Sequence, residues 1–130
     1  INIVSLNYTD THSTFQLDFS LRLNDSRRRE VADFTNVLHH KSNAHKRRIE
    51  GLDGKNIIAL NMVNRALNQG VEADYLLVDS WYAKPDFITQ ASELGMPVIA
   101  RIANHSIVFT EVTMGKSTTR ISILLLSMSN

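Results

Sequence analysis

The stretch Tyr75-Leu76-Leu77-Val78-Asp79 is a short, continuous apolar run that ends on a carboxylate. A run of this kind predicts a strand covered on both faces, as in a parallel sheet flanked by helices. Just beyond it, Pro85 fits the first turn of a helix. Asp86 suits that helix's positive end, and Gly95 closes it ahead of Met96-Pro97. Val98-Ile99-Ala100-Arg101-Ile102 predicts a second buried strand. Strand, short helix and strand within about 28 residues form a compact βαβ unit with a right-handed crossover. The expected fold class is α/β.

Toward the N-terminus, Phe15-Gln16-Leu17-Asp18-Phe19-Ser20-Leu21-Arg22-Leu23 alternates apolar and polar residues without a break. A period of two puts the five apolar side chains on one face, so a half-buried strand is expected. Ile1 to Tyr8 is also strand-like, and Ile3-Val4 interrupts its alternation where a bulge would. The turn formers Thr9-Asp10-Thr11-His12-Ser13 lie between the two, which predicts an antiparallel hairpin. Residues 24–54 read as a basic, polar connector with a short helix around Arg29 to Leu38. A stronger helix is expected from Lys55 to Gln69, with Leu60, Val63 and Leu67 on one face and Gly70 at its C′ position. Beyond Ile102 the pattern weakens, with strands at Ile107 to Val112 and Ile121 to Met128. Gly115-Lys116-Ser117 resembles the end of a phosphate loop, but Thr110 stands where the first Gly belongs.

Composition narrows the function classes. Hydrophobic residues make up 43% of the 130, as in an ordinary soluble globular domain, and the length suits a single domain. The absence of Cys excludes disulfide scaffolds, thiol nucleophiles and Cys-bound zinc. No apolar run approaches the ~20 residues of a membrane span, and no signal peptide opens the chain, so a cytoplasmic protein is expected. The chain starts at Ile1 rather than Met, and a fragment is expected. The net charge of +1 conceals an asymmetry: residues 22–48 sum to +5 and the remainder to −4. A concentrated basic segment suits contact with a phosphate backbone, although Lys and Arg also favour water in any solvated connector.

Asp79 is the most informative single residue. A carboxylate ending a parallel strand lies at the C-terminal edge of the sheet, where α/β folds place their ligand sites. Mg²⁺ ligation, phosphoacceptance and a structural cap on the loop Ser80-Trp81-Tyr82 all fit that position. Asp18 points to the polar face of its strand, where solvation is expected. His39, His40 and His45 have no acidic ligand at helical spacing, so a solvated basic loop suits them better than a metal site. Trp81 and Tyr82 fit base stacking or packing against the next helix.

The run Ala73-Asp74-Tyr75-Leu76-Leu77-Val78-Asp79-Ser80-Trp81-Tyr82-Ala83-Lys84-Pro85 resembles the second-aspartate block of DDE-type insertion-sequence transposases. Leu94 to Arg101 is similar to the strand that follows in that family, and Ser13 to Asn24 to the strand before its insertion. Lys46-Arg47-Arg48-Ile49-Glu50 is similar to the basic start of the family's next helix. The resemblance implies an RNase H-like mixed sheet, a hairpin followed by the βαβ unit, incomplete at both ends. Residues 1–103 would be a partial catalytic domain, with 104–130 a poorly matched tail of the kind a frame slip produces.

The resemblance further implies DNA transposition, with DNA phosphodiesters cut and rejoined by three acidic residues that hold two Mg²⁺ (or Mn²⁺) ions. Asp79 would be the catalytic metal ligand, and Lys46, Arg47 and Arg48 would contact the backbone of transposon-end DNA. A homodimer is compatible with a complete enzyme. The family's first aspartate lies on a strand ahead of the first one seen here, and such a strand would need an open sheet edge. Neither Asp10 nor Asp18 substitutes for it, and Glu111 stands in a β-like context instead of the helix that carries the third acid. One carboxylate cannot hold two metals, so the isolated chain is expected to be inactive. Two rivals remain at this point: a non-catalytic DNA-binding remnant, and a signalling module in which Asp79 accepts a phosphoryl group.

Overall fold

The computed structural model describes residues 2–10, 12–23, 41–101 and 123–129, with backbone alone at Leu125, Met128 and Ser129. Among them are strands β1 (Asn2–Thr9), β2 (Thr14–Arg22), β3 (Tyr75–Val78), β4 (Val98–Ala100) and β5 (Ile123–Ser129). The helices are α1 (Asn43–Glu50), α2 (Lys55–Asn68) and α3 (Pro85–Glu93). The strands form one sheet in the order β2-β1-β5-β3-β4. The short helix read around Arg29 to Leu38, the pair His39-His40, Glu111 and the strand at Ile107 to Val112 lie outside the described residues.

The βαβ unit forms as its sequence pattern predicts. β3 and β4 are parallel, with Val78 opposite Ala100, and α3 connects them. Pro85 opens α3, where its missing N–H is no loss. The ends of α2 and α3 share one device. Gly70 and Gly95 take φ of +86° and +85°, and the next residues, Val71 and Met96, donate backward to Ala66 and Ala91. Only glycine adopts that conformation without strain, so each helix stops where its glycine stands. Ile58, Ala59, Met62, Val63 and Ala66 of α2 pack with Phe87 and Ala91 of α3 against Val4, Leu6, Leu76 and Val78. Leu76 and Val78 are buried while Tyr75 and Leu77 stay half-buried, so β3 is sealed on one face and only partly covered on the other.

The hairpin forms too, but with its faces reversed. The ladder slips between Leu6 and Asn7, not at Ile3-Val4 as the alternation suggested, and Leu17 is left without a partner. Phe19 and Leu21 pair with Ser5 and Ile3, on the face away from the core residues Val4 and Leu6. Phe15, Leu17, Phe19 and Leu21 are consequently 40–58% exposed, and the expected half-buried apolar face of β2 is the outer one. Ser20 and Asp18 turn inward instead, because α1 and α2 offer them charged partners.

α1 lies within the stretch read as a connector. Ser42 caps it, accepting from the His45 N–H at 3.1 Å, and Arg47 and Arg48 stand in the last turn, where the helix dipole favours cations. Gly51 then lets α1 meet β2 closely: a Cβ there would lie 2.5 Å from the Leu21 carbonyl oxygen. The Leu23 N–H donates to the Gly51 carbonyl at 3.0 Å across the same junction.

The tail has the most unexpected position. β5 runs antiparallel to β1 and parallel to β3, so among the described residues it alone joins the hairpin to the βαβ unit within the sheet. Its apolar run explains this: Leu124 and Leu126 are 0% and 1% exposed, between the buried residues of β1 and β3. Both sides of β3 are thereby taken, by β4 and β5. Among the described residues the sheet's edges are β2 and β4, so the open edge expected for a further strand does not lie beside β3.

Candidate active site

Asp79 follows the last residue of β3, at the C-terminal edge of the parallel strands β3, β4 and β5. Its neighbours across the edge are Arg101, whose N–H donates to the Val78 carbonyl at 3.3 Å, and Ser127, whose Oγ lies 2.8 Å from Ser5 Oγ. Asp79 is half-buried. Its Oδ1 accepts from the Trp81 N–H at 2.8 Å, and its carbonyl accepts from the Tyr82 N–H at 3.2 Å. One carboxylate oxygen therefore caps the turn, as a structural reading of the residue expects. The other, Oδ2, has no hydrogen-bond partner among the described residues.

Lys55, which sequence reasoning did not assign, and Tyr82, expected to stack on a base or pack against the next helix, both feel the Asp79 charge. Lys55, the first residue of α2, donates from Nζ to the Trp81 carbonyl at 2.8 Å, with its ammonium 4.6 Å from the Trp81 ring centre. Burial holds its pKa below the ordinary lysine range; the Asp79 charge opposes that shift, and Lys84 and Arg22 add to it. The Tyr82 ring is fully buried against Phe87, and its hydroxyl has no hydrogen-bond partner among the described residues. Burial first, and the Asp79 charge second, push that phenol well above the usual tyrosine range, so it remains protonated. The only sequence signal for Lys55 was its place at a helix start; Arg22 ends a strand whose alternation conceals it.

The acidic residues outside this edge have other tasks. Asp10 accepts from the His12 and Ser13 N–H groups, both at 2.7 Å, and shapes the hairpin turn. Asp18, expected in solvent, has a side chain only 13% exposed. Its Oδ2 receives Arg65 Nη2 at 2.8 Å and Nε at 3.0 Å, and its Oδ1 receives Arg47 Nη1 at 3.0 Å. Buried Glu50 completes the cluster, accepting from Arg65 at 2.6 Å, Ser20 at 3.1 Å and Arg47 at 3.3 Å. Burial works against the Arg65 charge, but hydrogen bonds to Glu50 and Asp18 together outweigh it and raise its pKa. These acids are satisfied by guanidinium groups and hold α1 and α2 to β2.

Lys46, Arg47 and Arg48 all project from α1 as exposed side chains. Arg47 spends Nη1 on Asp18, Glu50 and the Phe19 carbonyl, whereas no ion pair holds Lys46 or Arg48 among the described residues. α1 packs on β2, three strand spacings of ~4.8 Å from β3, so the basic residues and Asp79 stand roughly 14 Å or more apart. The sheet does not bring them into one cluster. No group of three His, Asp or Glu able to hold a metal ion occurs among the described residues, so Asp79 fits as one oxygen ligand without completing a site. No helix among the described residues is long and apolar enough to cross a membrane.

No curated protein and no solved structure matched the chain. A family model described as DDE superfamily endonuclease matches residues 2–119, from β1 through Asp79 and beyond β4. The mixed sheet, with its hairpin and βαβ unit, is compatible with an RNase H-like fold. Spanning most of the sequence and agreeing with the architecture, the match shows that this chain belongs to the DDE superfamily endonucleases.

Proposed function

We propose that this chain handles DNA within a transposase that cuts and rejoins phosphodiesters with Mg²⁺ or Mn²⁺, and that Asp79 is one of the metal ligands. The observation that carries the reading is the free Oδ2 of Asp79 at the C-terminal sheet edge, with the turn to Tyr82 fixing its direction. When bound, divalent ions would activate the attacking oxygen and stabilise the leaving oxygen at phosphorus. The chain's own groups orient the carboxylate through the Trp81 N–H and bring Lys55 to the same edge, where a phosphate would face it. The phosphoacceptor reading loses to family membership and to the antiparallel β1–β2 and β1–β5 pairs.

The test is DNA affinity with and without Mn²⁺, beside a plasmid-nicking assay. The expected result is a several-fold gain in affinity with Mn²⁺, lost in Asp79→Asn, and no nicking by the isolated chain. Asn keeps the oxygen that accepts from Trp81, so the turn survives the substitution. Nicking that persists in Asp79→Asn, or a Mn²⁺ effect indifferent to it, contradicts the role assigned to Asp79.

Lys46, Arg47 and Arg48 are the proposed contacts to transposon-end DNA phosphates, Arg47 the weakest because its Nη1 is already engaged. Each duplex phosphate contact contributes a slope of about −0.9 to log affinity against log salt. Changing all three to Gln is expected to flatten the salt slope by about 2.7. An unchanged slope removes α1 from the interface, while a flattened slope with an inert Asp79→Asn favours a purely DNA-binding remnant.

A further inference from the structure

Beside Asp79 lies a cleft of about 510 Å³ between the end of β2 and the first turn of α2, lined by Arg22, Gly54, Lys55, Asn56 and Trp81 among others. Three observations converge on this region. Its two cations are Arg22 and Lys55, and nothing in the described chain pairs with the Arg22 guanidinium. Arg22 Nε and Asn56 Oδ1, which line the cleft, and the Tyr82 hydroxyl, which feels the charges of both Asp79 and Arg22, are buried without a hydrogen-bond partner among the described residues. Such orphans are costly unless a ligand satisfies them. Finally, the Trp81 indole is 59% exposed, with Lys55 over its ring.

We infer that this cleft holds an unpaired nucleotide of a DNA strand, its phosphate on Arg22 and Lys55 and its base stacked on Trp81. The inference rests on the DNA reading above and names where a strand sits relative to Asp79. A phosphate suits the paired cations and the first turn of α2, where Gly54 offers no side-chain cap to the free N–H groups. The orphan carbonyl of Asn56 requires a donor, which a base amine or imino group supplies and bare phosphate does not. An indole offers a stacking face to any base, and only a base without a stacked neighbour on that side can take it. Lys55 occupies one face of the ring and leaves the other for the base. A strand end or single strand fits better than continuous duplex.

Trp81 is the chain's only tryptophan, so its emission reports on this cleft alone. Titrating the full chain with a single-stranded DNA decamer carrying a fluorescent end is expected to quench Trp81 emission in parallel with the rise in anisotropy. Trp81→Ala is expected to weaken binding by about tenfold. Arg22→Gln, which keeps the reporter, is expected to reduce the salt slope by about 0.7, the value for one single-strand phosphate contact. Binding seen by anisotropy with unchanged Trp81 emission and wild-type affinity in Trp81→Ala overturns the inference, as does binding confined to duplex. Mn²⁺ separates the two readings: quenching in the unmutated chain with no Mn²⁺ effect on affinity, or with a Mn²⁺ effect that Asp79→Asn retains, defeats the metal assignment alone. A Mn²⁺ effect without quenching defeats the cleft alone.

Discussion

A chain cut after residue 122 is expected to lose its cooperative fold altogether. β5 supplies seven register partners to β1 and four to β3, and those two strands do not pair with each other. Removing it leaves two ladders with unpaired inner edges and strips the core of Leu124 and Leu126. Each buried Leu contributes ~1.5–3 kcal/mol, against a total stability of ~5–15 kcal/mol for a domain. The truncated chain is expected to show no sigmoidal urea transition by circular dichroism and a collapsed amide dispersion. Leu126→Ala is the graded version, expected to cost about 3 kcal/mol because its cavity lies between two strands. A truncated chain that unfolds cooperatively at the same midpoint would show that the tail is not part of the sheet's core.

Arg65→Ala is expected to be the most damaging single substitution on the exposed side of α2, at about 2–3 kcal/mol. Arg65 reaches two acids at once, Asp18 and Glu50, whose side chains are only 13% and 9% exposed. Deleting one partner of a buried pair leaves an uncompensated charge, which costs ~3–5 kcal/mol when burial is complete. The Arg65 side chain itself is 38% exposed, so water repays part of that loss. Arg65→Lys should recover little, since a single ammonium cannot replace a guanidinium that meets Asp18 through Nε and Nη2 and Glu50 through Nη1. Urea unfolding of both variants beside the wild type measures this. A loss below about 0.5 kcal/mol for Arg65→Ala, the range of ordinary surface changes, would show that Arg47 alone satisfies both acids.

The elements that were legible in the sequence are those whose signals are local. Pro85 and Gly95 bracket α3, Gly70 closes α2, and the apolar run from Tyr75 ends at Asp79, all within a few residues of one another. What escaped depends on distant partners. The alternation from Phe15 to Leu23 identifies a strand but not which face turns inward. That choice follows from Arg47 and Arg65, 29 and 47 residues beyond Asp18, which draw the polar face toward the helices. Likewise the apolar tail is recognisable as a strand, yet nothing in Ile123 to Ser129 specifies that it enters between β1 and β3. Ser5 and Ser127, bonded across that junction, are separated by 122 positions. The candidate site shows the same division. Asp79 was found because it ends its own strand, whereas Arg22, Lys55 and Asn56 join it only through the packing of α2 over the sheet edge.

The assignment of Asp79 as a metal ligand is tested most directly by adding substoichiometric Mn²⁺ to the isotope-labelled chain and following paramagnetic broadening of its backbone amides. The amides of Ser80, Trp81 and Arg101 are expected to broaden first, and Asp79→Asn to abolish the effect. Broadening centred on Glu50 and Asp53 instead, or broadening at the β3 edge that Asp79→Asn leaves intact, would contradict it.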